Sequence, residues 1–488
     1  MNLYLIGHDY RYAVEQMLLT LFPDERPEYP DGRPTGDRAE LRLMSGPKIT
    51  TVTCVLVYHG RTANGRTSVP NGELTDPTET DRRLQGAVKR AFYRAAMGIG
   101  LPHRPWGMLT GVRPGKLMTP LLAQGMGDAQ AMRYFERHYD VAPARAALVV
   151  RTAHATLRAM DALGDKDVCL YVGIPFCPTR CAYCSFVSQS VEKSMALVPE
   201  FLQALAREIA ATAEAVQRAG LRIVSLYIGG GTPTTLSARQ LDALCTQLEA
   251  AFDLSALREF TVEAGRPDTI TADKLQVLRA HRVDRISVNP QTLDDRVLET
   301  IGRRHTAQDI FDALRLVRET GGFAVNMDLI AGLPGDTPDG FRATLEQVLA
   351  LAPENVTVHT LSRKRGADLM TQDAPIPDGE QVGEMLDFAG SALDAAGYAP
   401  YYLYRQKFMS GGFENVGWTR PGQENLYNIC IMEELCSILA MGGGASTKLV
   451  RPNGGKLERH IDPKYPTEYI ANIDRICAAK AELEAFFQ

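Results

Sequence analysis

Tyr171-Val-Gly-Ile-Pro-Phe-Cys-Pro-Thr-Arg-Cys-Ala-Tyr-Cys-Ser-Phe186 opens as an apolar strand and breaks into a tight loop that carries Cys177, Cys181 and Cys184. Cubane iron–sulfur clusters are held by Cys thiolates, ordinarily one for each iron. The CxxxCxxC triplet has no fourth partner close in sequence, so such a cluster would keep one iron open to a small-molecule ligand. A structural zinc site pairs two CxxC-like knuckles or a Cys pair with a His pair, and no second knuckle is present.

The 488 residues exceed one ordinary core and read as two or three domains, with 45% hydrophobic and 23% charged residues, as in a soluble globular protein. A net charge of -5 and a pI near 6.1 argue against general nucleic-acid affinity, which needs a cationic excess. The first residues, Met1-Asn-Leu-Tyr-Leu-Ile-Gly-His-Asp-Tyr-Arg11, carry charge too early for a signal peptide, and no apolar stretch reaches membrane-spanning length. A cytoplasmic location is therefore expected. Nine Cys in so long a chain are not a secreted disulfide framework, and thiolate ligands call for a reducing compartment. Cys54, Cys169, Cys245, Cys430, Cys436 and Cys477 fall within apolar or helical patterns and read as buried thiols, with Cys430 and Cys436 the pair singled out for attention.

Residues 1–165 read as an α+β domain with a helical connector, built from an apolar strand at 3–6, a helical pattern at 12–21, an alternating run at 48–58, turns over 69–81, and helix over 83–97 and 119–162. Arg104, Arg113 and Lys116 lie in a Gly- and Pro-rich stretch between them and are expected to be solvated. Over residues 166–365 short apolar runs alternate with amphipathic helices, the rhythm of β-α units around a parallel sheet. Six strands are expected, at 169–174, 225–228, 259–263, 285–288, 324–330 and 355–361, with helices at 200–219, 238–251 and 307–320, the last opened by a capping box of Thr306 and Asp309. The fold class is thus α/β, a partial (β/α)6 barrel with an N-terminal α+β domain. Residues 366–488, with a helix at 379–396, form an α+β cap. In such barrels chemistry collects at the C-terminal ends of the strands, where every motif considered below falls.

Gly229-Gly-Gly-Thr-Pro-Thr234 follows the second strand, and consecutive glycines let backbone groups approach a ligand without interference from a Cβ. The spacing is not that of a dinucleotide fingerprint. Glu263 ends the third strand, Gln291 follows the fourth and Asp328 lies in the fifth. A carboxylate within an apolar strand is costly unless partnered. Each carboxylate reads alone as an ion-pair member, and the three polar side chains together, at corresponding levels of one barrel, as the lining of a site for a shared polar ligand. Arg303 has the geometry of a carboxylate clamp, while its neighbour Arg304 is expected to be solvated.

These segments resemble the radical S-adenosylmethionine (SAM) enzymes, and in order and identity the oxygen-independent coproporphyrinogen III oxidase family, the HemN, HemW and HemZ group. The N-terminal segments Gly7-His-Asp-Tyr-Arg11 and Gly107-Met-Leu-Thr-Gly-Val-Arg-Pro114 look most like the HemZ branch. The resemblance implies a 4Fe-4S cluster on Cys177, Cys181 and Cys184, and SAM contacts from Tyr171, Tyr183, Gly230, Gly231, Thr232, Glu263, Gln291, Arg303, Asp328 and Ser362. It implies oxidative decarboxylation of coproporphyrinogen III propionates to vinyls, giving protoporphyrinogen IX in haem biosynthesis, with electrons from a donor such as flavodoxin or ferredoxin. The alternatives are a haem-binding or haem-delivery protein and a haem-modifying radical SAM methyltransferase. For a tetrapyrrole with four carboxylates, Arg363, Lys364, Arg365, Arg405 and Lys407 are candidate anchors, and Tyr401, Tyr402, Tyr404 and Trp418 candidate packing surfaces. The chain departs from the family pattern at Phe186, where the coproporphyrinogen enzymes carry a further Cys, and at Glu424-Asn-Leu-Tyr-Asn428, where the haem-trafficking branch has a His-Asn segment.

Overall fold

The computed structural model describes residues 1–32, 35–184, 189–190, 194–362, 374–406, 410–451 and 457–487. By contact the chain forms two compact units, Met1–Val112 with Met126–Leu148, and Arg113–Gly125 with Val149–Gln488.

The first unit is built on a four-stranded sheet, β1 (Asn2–Ile6), β2 (Arg38–Ser45), β3 (Ile49–Tyr58) and β4 (Arg61–Pro70), in that order. Only the β1–β2 pair is parallel. Alternation in β3 turns Thr50, Val52, Cys54 and Leu56 inward. Over them lies the helix Pro77–Gly98, which buries Val88, Ala91, Phe92 and Ala95. β4 approaches this helix so closely that a Cβ on Gly65 would collide with the Ala91 carbonyl. The helix begins six residues before the expected position 83, because Asp76 caps Thr78 and Glu79 and Pro77 occupies the first turn. Those early turns are polar and carry no apolar period.

In the second unit all six expected strands are present and parallel: β5 (Asp167–Ile174), β8 (Arg222–Gly230), β9 (Glu259–Glu263), β10 (Arg285–Ser287), β11 (Ala324–Ala331) and β12 (Asn355–Thr360). Between the first two lies a small ladder of β6 (Phe176–Cys177) and β7 (Gln189–Ser190). The helices 238–251 and 307–320 form as expected, each opened by a capping box, Ser237 with Gln240 and Thr306 with Asp309. The helix Val198–Ala219 buries Phe201, Leu205 and Ile209 on one stripe and ends at Gly220 in the left-handed region.

Strands from the C-terminal region lengthen this sheet at both edges. β13 (Ala399–Tyr404) and β14 (Asn415–Thr419) add antiparallel beside β12, while β15 (Ser437–Gly442) adds parallel beside β5 and is followed by β16 (Ser446–Leu449) and β17 (Glu458–Ile461). The ladder runs from β13 to β17 without closing among the described residues. Among those residues no helix is long and apolar enough to cross a membrane.

The C-terminal helix Ile473–Ala481 docks through charge as well as apolar surface. Lys480 Nζ, 4% exposed, reaches Glu208 Oε1 at 2.8 Å and donates to the Ala440 carbonyl at 2.6 Å, while Glu208 also accepts from Gly442 N at 2.9 Å and from the Tyr469 hydroxyl. Removing one member of a buried pair strands the other in low dielectric. Lys480→Ala is expected to lower stability in urea by about 3–5 kcal/mol; a loss under about 1 kcal/mol would show that Glu208 is relieved by water instead.

Candidate active site at the C-terminal ends of the strands

β5 delivers the cysteine loop, and β8 holds it in place. Gly231 N donates to Ile174 O at 2.8 Å and Thr232 N to Phe176 O at 2.7 Å, so the end of β8 continues the ladder past the end of β5. Gly230 takes φ 110°, and a Cβ on Gly231 would stand 2.5 Å from Phe176 O and 3.0 Å from Cys177 Sγ. The glycines are therefore required first by the close passage of the cysteine loop. Thr232 Oγ1 lies 3.5 Å from Cys177 Sγ.

Two buried guanidiniums flank the same loop. Arg266, 4% exposed, donates to Thr179 Oγ1 at 2.9 Å and to Cys181 Sγ at 3.8 Å, and is oriented by Asp268 at 3.0 and 3.1 Å. Arg303 donates through Nη1 to Asn289 O at 2.7 Å and Gly265 O at 3.4 Å, and through Nε and Nη2 to the Tyr183 hydroxyl at 3.3 and 3.2 Å. Arg303 thus braces Tyr183, inside the cysteine loop, against the strand ends. Arg304 is exposed. His305 is buried beside both guanidiniums, and neither ring nitrogen has a hydrogen-bond partner among the described residues. Burial above all, then the charges of Arg303 and Arg266, push its pKa down to about 3, so the imidazole is neutral.

Inside the sheet's concavity, Glu263 accepts from the Tyr227 hydroxyl at 2.6 Å. Burial raises its pKa to about 7, with Asp328 adding to the rise and the Tyr227 hydrogen bond opposing it. Asp328 behaves oppositely. Burial works to raise its pKa, but His359, 3.7 Å away, and donation from Asn326 at 2.7 Å outweigh it and hold the carboxyl below its ordinary range. Gln291 sits at φ 67°, the left-handed region a non-glycine residue rarely adopts, pinned by Gln291 N to Asp328 O at 2.9 Å and Ile330 N to Gln291 O at 3.0 Å. Such strain concentrates at functional sites. Tyr171 stacks with Tyr227 and Tyr427 at centroid distances of 6.1 Å each, deeper along β5. Ser362 stands two residues past the end of β12, half-buried.

Of the proposed tetrapyrrole contacts, Tyr401, Tyr402 and Trp418 are core residues, 1%, 4% and 4% exposed, and present no face to a large ligand; Tyr404 is half-buried. β14 lies between β12 and β13, and β13, although an edge strand, buries Tyr401 and Tyr402 in a cluster with Ala155, Ala159 and Ile429. Arg405 is also buried and donates to Gly412 O at 2.8 Å. Phe186, Arg363, Lys364, Arg365 and Lys407 lie outside the described residues. Arg113 and Lys116 both pair with Glu434 and are not simply solvated. The segment at 424–428 starts the helix Leu426–Glu433, whose first N–H groups, Leu426 N and Tyr427 N, donate to the buried Glu259 at 2.8 and 3.2 Å. Arg266, His305, Tyr227 and His359 belong to the site without any spacing that marks them; Arg266 and His305 adjoin singled-out residues, and that proximity was the available signal.

Comparison with known proteins agrees with this geometry. The radical SAM superfamily model matches residues 171–348, which hold the three cysteines and every residue of the concavity named above except His359, Ser362 and Tyr427. The chain is 40% identical over 423 residues to the oxygen-independent coproporphyrinogen-III oxidase-like protein HemZ of Bacillus subtilis, covering 84% of each chain. It is 34% identical over 250 residues to the haem chaperone HemW of the same organism, covering 50% of this chain and 64% of that one. The solved structure of coproporphyrinogen III oxidase (HemN) from Escherichia coli, a radical SAM enzyme, superposes with a TM-score of 0.51 at 26% identity, covering 66% of this chain and 72% of that one. The chain belongs to the HemN, HemZ and HemW family of radical SAM proteins, built around a 4Fe-4S cluster and SAM.

Proposed function

We propose that this chain oxidatively decarboxylates propionate side chains of coproporphyrinogen III, without oxygen, to give the vinyl groups of protoporphyrinogen IX. The observation that carries the reading is the gathering of the cysteine loop, Glu263, Gln291, Arg303 and Asp328 at one end of one parallel sheet, in a chain related to HemZ over 84% of its length. The donor set fits the cofactors: three thiols on a loop that only glycine lets pass over β8, beside two cationic side chains suited to an anionic cluster.

Cys177, Cys181 and Cys184 would hold the cluster, leaving its fourth iron for SAM. When bound, the pair supplies a one-electron reductive cleavage that yields a hydrogen-abstracting radical. Glu263 would receive the SAM ammonium together with the Gly230–Thr232 backbone, and Asp328 and Gln291 would orient the remaining polar groups. The guanidinium of Arg303 is already engaged by Tyr183, Asn289 O and Gly265 O and lies against Cys181, so its contribution to the SAM carboxylate would be chiefly a long-range charge. Each of the two propionates converted would lose a hydrogen atom, carbon dioxide and one electron, the last to an external acceptor, while the other two stay intact; a flavodoxin or ferredoxin would supply the cluster's electrons. The test is anaerobic turnover of reconstituted protein with SAM, reductant and coproporphyrinogen III, read by mass analysis. Decarboxylated tetrapyrrole with methionine and 5′-deoxyadenosine is expected, and Cys181→Ala should abolish both. Tight haem binding with no decarboxylated product would favour delivery, the reading that the HemW relative supports.

Arg266 donates to a proposed ligand sulfur, which favours the more negative, reduced cluster. Arg266→Gln should lower the midpoint potential by about 60 mV, a tenfold change for a one-electron couple, measured by EPR-monitored titration. An unchanged potential would mean the guanidinium serves only Thr179 and Asp268.

Glu263 pairs with a cation only when ionised, and its carboxyl is raised to about 7. SAM affinity should therefore fall as pH drops through 7, by up to roughly tenfold per unit. Calorimetry from pH 6 to 8 checks this: Glu263→Gln should bind more weakly and lose the slope, whereas an unaltered slope would move the titration to another group.

A further inference from the structure

A second set of sulfurs lies at the opposite end of the sheet. Cys169 is the third residue of β5, Cys430 sits in the helix Leu426–Glu433, and Cys436 immediately precedes β15. Their Sγ atoms all lie within 4.8 Å of one another, and Cys169 and Cys436 are 3.6 Å apart. All three are buried, at 0%, 0% and 7% exposure. Along β5, Cys169 is five residues from Ile174, on the order of 17 Å from the end that carries the cysteine loop, so this set is separate from the site described above.

Three thiolates at about 2.3 Å from one ion stand about 3.8–4.0 Å apart, close to the spacing present. The sulfurs are too near one another to sit on separate corners of a four-iron cube. No His, Asp or Glu atom joins them among the described residues, and the surroundings are apolar: Val224, Ile438, Leu163, Leu435 and the ring of Tyr427. An all-sulfur set packed by apolar side chains selects soft, thiophilic cations over oxygen-seeking ones.

We propose that Cys169, Cys430 and Cys436 form a metal site for one thiophilic d10 cation, monovalent copper or divalent zinc, held by three sulfurs. Each ligating thiol releases its proton to solvent as the metal binds. The ion is a staple: it joins β5 to the helix at 426–433 and to the root of β15, across 267 residues of sequence. It acts through stability, and the radical chemistry at the other end of the sheet does not require it.

The experiment uses two preparations. The Cys177→Ala/Cys181→Ala/Cys184→Ala variant, reduced and anaerobic, is titrated with zinc and separately with monovalent copper against a chromophoric chelator. One equivalent should bind, with X-ray absorption giving three sulfurs at about 2.3 Å, and binding should raise the unfolding temperature. Adding Cys430→Ser should abolish it, whereas adding Cys245→Ser should not. The preferred metal distinguishes the two sources. Should the triple variant fail to fold, the full chain with its cluster is analysed for copper and zinc beside iron, and Cys430→Ser should lose the extra metal while keeping the iron. Folded protein that takes up neither cation, binding that survives Cys430→Ser, or a Cys169–Cys436 disulfide isolated in place of metal binding would each overturn the proposal. Loss of the iron cluster with the triad metal retained would count against the functional reading and leave this one standing.

Discussion

The second unit depends on β5 being paired along both edges. On one side β8 runs parallel from Asp167↔Arg222 to Ile174↔Gly230; on the other, β15 runs parallel from Ser437↔Val168 to Gly442↔Gly173. A strand locked on both sides cannot slip by a residue without turning its side chains to the wrong face. Everything chemical hangs from that fixed register. Its C-terminal end presents the cysteine loop, and its third residue meets Cys430 and Cys436.

The two carboxylates in the concavity illustrate how a shared environment divides its roles. Both are half-buried, yet Glu263 faces a tyrosine hydroxyl and Asp328 faces an imidazole and an amide. Burial without a cation leaves the first close to half-protonated at neutral pH, and better partners keep the second ionised. One group is thus free to answer a cationic ligand, and the other is a fixed negative charge.

Much of this was legible in the chain. Apolar runs of parallel strands are buried on both faces, which is why all six were located, and the capping box at Thr306 and Asp309 placed its helix to the residue. β2 and β4 are not among the expected strands: β2 reads RAELRLMS, a short alternation of Ala39, Leu41 and Leu43 between charged residues, and β4 reads RTANGRTSVP, which is polar and carries no apolar alternation. The connector expected over 119–162 resolves into the helices Gly115–Ala123, Asp128–Tyr139 and Pro143–Ala162, cut at Gly125 and at Asp140, which takes φ 55°. Partners that meet only through tertiary pairing leave no local mark. Arg266 to Cys181, Glu259 to Leu426 N and β15 to β5 are of that kind.

The pairing of β15 with β5 also fixes an order of events during synthesis. Cys169 leaves the ribosome 267 residues ahead of Cys436, an interval of roughly 15 to 50 s at ordinary elongation rates. Throughout it one edge of the strand bearing the cysteine loop has no permanent neighbour, the situation in which a nascent sheet recruits foreign strands. A metallocentre loaded in that window would rest on a half-built floor, so cofactor delivery is best timed to follow release of the chain.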